Sequence, residues 1–481
     1  MHILKQILYT LAEIIKGIFK AIYEIFEVVF SNDNKEYKAT FGLSSSLLSR
    51  YNYGYCLTGS KSLTRKSSYQ NAIVVGGTGV GKSSVVLIPS LFKMKGSFII
   101  HDPSGELFSK TAGYLKQKGY QIRVLNFTNP DKSSGYNPLQ RIKTTSDVQK
   151  ISSMLVKTAM GDNSKDPFWN IQGISLIGML ISIIKKQESE YQNLYNIRQL
   201  LNRLGGNPES VDALFSEYAD EVLFAEYKSF LSYDDKVISG VTATCKAALQ
   251  IFSDEAVAKV TSVDNIDFQS FRDTPTALFI QNSVADQKYY SVLTSIFFEQ
   301  FFSFLLGRFP ENHEQDIFLL IDEASSLNLP TLPLAVANVR KHRSGIMLLV
   351  QDFNQLIHHY GKFDADGIKA NCFAKMYFTG QSLETATELE RILGKYEYKD
   401  KEGHKIVRSL MSNDEIRMLD INKALLICGH HPPFKVKLNP YYKNFHFNDY
   451  SRMPMKDLVN DSILSQISIL PLEVKKKEDA Q

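Results

Sequence analysis

Asn71-Ala-Ile-Val-Val-Gly-Gly-Thr-Gly-Val-Gly-Lys-Ser-Ser84 is the stretch that decides how this chain is read. Ala72 to Val75 is an apolar run suited to a buried parallel strand. It feeds Gly76-x-x-x-x-Gly81-Lys82-Ser83, and from Val85 an apolar pattern resumes that can be helical. Strand, glycine-rich turn and helix in that order form the setting in which G-x-x-x-x-G-K-[ST] cradles phosphates. Glycines at 76, 77, 79 and 81 let backbone N–H groups turn inward where a Cβ would block the approach. The helix starting near Gly81 adds its positive dipole end. Lys82 is expected to reach the β- and γ-phosphates, and the Ser83 hydroxyl to bind Mg²⁺. Gly76, Gly77, Thr78, Gly79, Val80, Gly81, Lys82, Ser83 and Ser84 are thus the candidate site for ATP with Mg²⁺. A glycine-rich turn without a ligand is the alternative, and the complete match in its proper context speaks against it.

A second anchor is Ile317-Phe-Leu-Leu-Ile-Asp322-Glu323. Five apolar residues predict a buried strand with two carboxylates at its C-terminal end, where open α/β sheets bind ligands. Asp322 fits the residue that holds Mg²⁺ through water, and Glu323 fits the base that polarises the attacking water. An acidic strand cap has the same appearance, so this motif draws its weight from following a complete phosphate loop. The next strand, Gly345-Ile-Met-Leu-Leu-Val-Gln351, ends in an amide that can both donate and accept hydrogen bonds. Gln351 is expected to sense the γ-phosphate or orient water. Just before that strand, Val339-Arg-Lys-His-Arg-Ser-Gly345 is basic. It reads either as a solvated C-terminal helix cap or as an arginine finger, Arg340 or Arg343, reaching a neighbour's nucleotide.

With 481 residues the chain is too long for one core, and two or three folded units are expected. A hydrophobic content of 44% and a charged content of 22% are ordinary for a globular protein. The formal net charge of +4 does not announce nucleic-acid binding, so any such surface must be local. Cys56, Cys245, Cys372 and Cys428 lie far apart with no C-x-x-C pair. They read as reduced core residues rather than as a disulfide framework or zinc site. His358-His359 and His430-His431 have no carboxylate or cysteine at ligand spacing.

No cleavable signal peptide is expected at the N-terminus. Ile3 to Phe30 is interrupted by Lys5, Glu13, Lys16, Lys20, Glu24 and Glu27, far short of the ~20 apolar residues a bilayer requires. These charges fall on one helical stripe, so residues 1–30 predict an amphipathic helix with a wide apolar face. Its own core, a membrane partner or the lipid surface could cover that face. Residues 31–70 read as a linker with short strands. Residues 71–144 begin the nucleotide-binding domain, with strands at Ser97–Asp102 and Gln121–Phe127 and a helix over 107–118. From 145 to 267 helical periodicity dominates, at 146–160, 168–186, 195–204, 221–233 and 237–253, which predicts an inserted all-α domain. Trp169, the only tryptophan, reads as a packing anchor or as a platform for a base. From 268 to 445 strands alternate with helices at 286–306, 333–341, 353–360 and 382–393, predicting an α/β fold with a mostly parallel, doubly wound sheet. Tyr396–Val407 reads as a polar hairpin, and 446–481 as a tail without an independent fold.

Taken in order, these motifs resemble those of the type IV secretion coupling proteins, the TraG/TraD-like ATPases of conjugative DNA transfer. The resemblance rests on Gly76–Ser83, Asp102-Pro-Ser-Gly-Glu106, Tyr136-Asn-Pro-Leu139, Asp166-Pro-Phe-Trp169, Leu320-Ile-Asp-Glu323, Gln351-Asp-Phe-Asn-Gln-Leu356 with Tyr360-Gly361, and Ser382-Leu-Glu-Thr-Ala386 with Leu393-Gly394. It covers roughly residues 40–445. It implies a RecA-like P-loop ATPase related to the FtsK and HerA translocases, working as a homo-hexamer at the inner membrane. Such a motor would pass single-stranded DNA with its relaxase to the secretion channel. It also implies that the finger arginine lies in the turn matching 340–345. Family members commonly begin with transmembrane helices. Here the charged N-terminal helix implies peripheral attachment at the cytoplasmic face of the inner membrane, directly or through a partner. A coupling ATPase for protein effectors alone, or a nucleotide-switched receptor without translocation, also fits the residues.

Overall fold

The computed structural model describes residues 36–160, 167–206, 208–282, 286–455 and 467–472. The amphipathic helix expected over 1–30 lies outside the described residues, as does Asp166. Short apolar runs, mostly rich in Val, Ile, Leu and Phe, form the strands because β-branched and aromatic side chains pack well on a pleated surface. They are β1 (Ala72–Val75), β2 (Ser97–His101), β3 (Gln121–Asn126), β4 (Thr276–Gln281), β5 (Ile317–Ile321), β6 (Ser344–Val350) and β7 (Ala374–Tyr377). A separate hairpin follows, β8 (Lys395–Lys399) with β9 (Lys405–Ser409), then β10 (Lys423–Cys428) and β11 (Phe434–Lys437).

Nine of these form one sheet in the order β11-β10-β7-β1-β6-β5-β2-β4-β3. The seven strands from β7 to β3 are parallel, whereas β10 runs antiparallel to β7 and β11 antiparallel to β10. This is the α/β, mostly parallel architecture the sequence predicts. β11 is the strand that sequence reading omits, because Gly429-His-His-Pro-Pro433 disguises it as the end of an element.

Alternation along each strand divides the apolar residues between two faces. Ile73, Val75, Ile99, Leu319 and Leu348 belong to one core, and Ala72, Val74, Phe98, Ile100, Leu320 and Leu349 to the other. The second core is closed by the helical run from Ser83 to Lys93, by the helix Glu106–Gln117, and by the segment around Tyr441–Tyr450. The first core runs without interruption from the sheet into the helices between 145 and 262, so that tract shares its interior with the α/β part.

Those helices are Thr145–Met160, Pro167–Ile184, Leu194–Gly206, Pro208–Tyr218, Glu221–Leu231, Asp235–Ala248 and Glu255–Ser262. Periodicity does not predict Pro208–Tyr218 or Glu255–Ser262. Pro208 reads as a breaker in sequence but stands at the first turn of its helix, where its missing N–H costs nothing. Asp254 starts the other by accepting from the Ala256 N–H at 2.8 Å. Trp169 lies against Gly240, where a Cβ would come within 2.4 Å of the indole, so it packs as an anchor. The helix expected at 353–360 continues to Ala370 across a break at Gly361, whose backbone is left-handed (φ 74°).

Among the described residues two helices are long and apolar enough to cross a bilayer by length and composition, Pro167–Ile184 and Gln287–Gly307, and more than half of each is buried in the fold. Two parts of the C-terminal stretch, expected to have no independent fold, pack on the rest of the chain. A helix spans Phe445–Tyr450. Ile467-Ser-Ile-Leu-Pro-Leu472 carries enough apolar side chain to dock, and Leu470 is buried. Asn196 holds this segment through the Leu470 N–H at 3.1 Å and the Ser468 carbonyl at 2.9 Å.

Candidate nucleotide site

The phosphate loop leaves β1 at the centre of the sheet and turns at its C-terminal edge. Gly76 is needed there for close approach, since a Cβ would lie 2.8 Å from Cβ of Phe378. Gly79 (φ 78°) and Gly81 (φ 93°) adopt left-handed backbone that L side chains avoid. A Cβ at Gly77 or Gly79 would meet no atom within 4 Å. Lys82 Nζ donates to the carbonyls of Gly76 (2.5 Å) and Gly77 (2.9 Å), which keeps the ammonium over the loop. Burial pushes its pKa down, opposed by the nearby Asp322 and Glu323.

β5 delivers Asp322 and Glu323 to the same place. The Ser83 hydroxyl donates to Asp322 Oδ2 at 3.3 Å, so hydroxyl and carboxylate face one point from opposite sides. Burial pushes the Asp322 carboxyl up to about 6, reinforced by the neighbouring Glu323 and opposed by Lys82. Its position is fixed from below: His101 at the end of β2 bonds the Asp322 carbonyl through Nδ1 at 2.6 Å. A carbonyl only accepts, so Nδ1 carries the proton. Burial holds His101 neutral, with a pKa lowered to about 4. Glu323 sits in left-handed backbone (φ 51°, ψ 49°), rare for a non-glycine residue and costing about 1 kcal/mol or more. Its carbonyl accepts from both the N–H (2.9 Å) and the hydroxyl (2.8 Å) of Ser326, which hold the turn.

A cavity of about 340 Å³ joins these groups. Thr78, Gly79, Gly81, Lys82, Ser83, Ser84, Asp322, Glu323 and Gln351 line it. Gly76, Gly77 and Val80 belong to the same loop but not to that lining. Ser104 and Glu106 also line it, and sequence reasoning misses them as site residues. Their signal is present in Asp102-Pro-Ser-Gly-Glu106. The Asp102 carboxylate accepts from the N–H groups of Leu107 (3.1 Å) and Phe108 (2.8 Å), which swings Ser104 and Glu106 over the loop.

Arg340 and Arg343 are not in this cavity. They precede β6, whereas Gln351 follows it, and seven residues of strand separate the two ends by ~20 Å. Arg343 is tied down: it pairs with the buried Asp316 at 2.7–2.9 Å and donates to the carbonyls of Glu311 (2.8 Å) and Glu314 (2.7 Å). Arg340 is exposed and makes one 3.3 Å hydrogen bond, to the Gln70 side chain.

Residues 49–466 match the family described as "Type IV secretory system Conjugative DNA transfer". The chain belongs to this family. Family relatives include Protein VirD4 of Agrobacterium fabrum, 23% identical over 402 residues, covering 78% of this chain and 59% of that protein. Conjugal transfer protein TraG of Escherichia coli is 23% identical over 360 residues, covering 69% of this chain and 56% of the relative. The chain therefore spans a little under three-fifths of the length of these curated family members. Among solved structures, the fold is that of the bacterial conjugative coupling protein TrwBdeltaN70 in complex with sulphate, with a TM-score of 0.67 at 18% identity over 85% of this chain and 96% of that one. The plasmid coupling protein TrwB in complex with ADP and Mg²⁺ matches at a TM-score of 0.66 and 18% identity, covering 84% and 94%.

Proposed function

We propose that this chain is the ATP-hydrolysing motor of a conjugative coupling protein, delivering relaxase-bound single-stranded DNA to a type IV secretion channel. The observation that carries the reading is the convergence of Lys82, Ser83, Asp322, Glu323 and Gln351 on one cavity, in a chain of the conjugative DNA transfer family. The residues fit a nucleotide with its cation: the loop is bare of Cβ where phosphates would lie, and the Ser83 hydroxyl and Asp322 carboxylate face each other. Mg²⁺, held by Ser83 and Asp322, would supply charge neutralisation at the β- and γ-phosphates. The Gly76–Gly81 loop binds phosphate through its N–H groups, and Lys82 turns from its loop carbonyls to the γ-phosphate. Glu323 takes the proton of the attacking water, and Gln351 orients that water from the end of β6. His101 acts through the Asp322 backbone as a positioning residue.

Neither arginine can reach its own subunit's cavity from the far end of β6, so a finger drawn from this turn would act in a neighbour's site. Arg343 is committed to Asp316 and two carbonyls, and Arg340 is the one free to extend; we assign the finger to Arg340. A finger acting in trans goes with a closed ring, which we take as a homo-hexamer, working at the cytoplasmic face of the inner membrane. ATP turnover by the purified full chain, with and without single-stranded DNA, tests the reading. DNA-stimulated hydrolysis that vanishes in Glu323→Gln is expected. Turnover indifferent to DNA would point instead to a coupling ATPase for protein cargo.

A further inference from the structure

A second cavity lies away from the nucleotide, on the sheet face closed by the phosphate-loop helix. It measures about 810 Å³ and is open on one side. Its walls come from Ser44 and Arg50, the loop around Thr58–Lys61, the end of the helical run at Lys93, and the segment from Val436 to Tyr450. Arg50, Lys61, Lys93, Lys437 and Lys443 line it, and no carboxylate does. Among the described residues none of these five cations is within ion-pair distance of an Asp or Glu. Lys93 is held in place by the carbonyls of Arg50 and Ser60, both at 2.9 Å, which leave its positive charge uncompensated. In a chain with a net charge of only +4, five unpaired cations around one recess are a concentrated local field. Phe445 stands in the same lining with 76% of its surface exposed, a ring held out over a basic groove.

We propose that this groove binds single-stranded nucleic acid, its phosphates on Lys61, Lys437 and Lys443 and a base stacked on Phe445. Basic lining interleaved with an exposed aromatic is the combination that grips a strand without reading its sequence. A recess walled on several sides suits a strand better than the flat surface of a bilayer. The groove and the nucleotide site sit at opposite ends of one helical run: Lys82 precedes Ser83, and Lys93 ends it. Eleven residues at ~1.5 Å each put them ~16 Å apart along a rigid rod, so strand and nucleotide would act on a common element. This assignment rests on the reading that the chain handles single-stranded DNA, and it locates where.

The test uses the purified full chain and a fluorescein-labelled oligo(dT), read by anisotropy across a salt series. Lys61→Glu with Lys443→Glu should weaken binding about tenfold or more and flatten the salt dependence by ~0.7 for each phosphate no longer neutralised. Phe445→Ala should weaken it about five- to a hundredfold while leaving the salt slope unchanged. All three positions are away from the nucleotide site, so basal ATP turnover should hold and would report that the variants are folded. Ultraviolet cross-linking of a strand carrying 5-iododeoxyuridine should label the 437–450 peptide. Normal binding by both variants, or cross-links confined elsewhere, would overturn the groove while leaving DNA handling intact. A wild-type chain that binds no oligo(dT) would overturn DNA handling and the groove together. Variants that keep DNA but lose vesicles of phosphatidylcholine and phosphatidylserine would make the groove a lipid-headgroup site and overturn the proposal.

Discussion

The two ends of strands β5 and β6 treat charge in opposite ways. At the C-terminal end, Lys82 is bonded only to carbonyls of its own loop, and Asp322 sits in an environment that resists its ionisation. Glu323 is held there in a strained backbone. At the N-terminal end, Asp316 is fully buried but receives Tyr69 Oη at 2.7 Å, Arg65 at 2.9 Å and Arg343 at 2.7–2.9 Å. Around it Arg272 donates to the Gln315 and His342 carbonyls, at 2.8 and 2.7 Å, and Arg308 pairs with the buried Glu314. Arg343 also has a left-handed backbone (φ 49°), yet there four hydrogen bonds and an ion pair over-determine it. A buried charge that is fully bonded stabilises the fold. One left short of partners is available for a ligand. The same sheet does both because its opposite edges meet different surroundings.

That contrast can be broken most severely at Asp316. Asp316→Ala would strand the half-buried Arg343 beside a buried site, and loss of one partner of a buried ion pair costs about 3–5 kcal/mol. Chemical denaturation should register a drop of that size; a change under about 1 kcal/mol would mean the network is not structural. The matching change at the other edge should spare stability and remove chemistry. Glu323→Gln keeps shape but loses the base, so ATP turnover should fall ~10²-fold or more while nucleotide still binds. Hydrolysis at the wild-type rate would remove Glu323 from the role given to it.

The two arginines sharpen the comparison further, because they are three residues apart and differ in exposure. Arg343→Ala should lower stability by about 1–3 kcal/mol, leaving Asp316 short of its strongest donor. Arg340→Ala should leave stability within about 0.5 kcal/mol, as exposed substitutions do, yet reduce turnover in assembled protein. Mixing it with Glu323→Gln should restore some activity, since some interfaces then pair an intact finger with an intact base. Co-assembly without rescue would count against a finger acting in trans. The smallest effect is expected at Gln70, where loss of one exposed 3.3 Å hydrogen bond to Arg340 should shift stability by a few tenths of a kcal/mol and leave turnover near wild type.

Local pattern carried most of the architecture. An apolar run before Gly76, a run before Asp322 and a run before Gln351 each predict a strand, and the alternation of strands with helices predicts a parallel sheet. The phosphate loop is legible because its chemistry is contiguous: one turn must supply bare N–H groups, an ammonium and a hydroxyl, and eight residues do so. What sequence alone left open depends on partners distant in the chain. Nothing near Arg343 announces that Asp316 lies beneath it, so Arg340 and Arg343 look equivalent until the sheet brings Arg65, Tyr69 and Asp316 to one edge. Ser104 and Glu106 join the nucleotide cavity only because Asp102 holds the first turn of the helix that begins at Glu106. β11 is short, and it is a strand because β10 offers it an edge. The basic groove is drawn from separate stretches up to about 400 residues apart, each ordinary by itself. Contiguous motifs are written in local backbone and side-chain requirements, which sequence states directly. Charge balance and concavity are sums over everything the fold brings within a few ångströms, and only tertiary packing decides those sums.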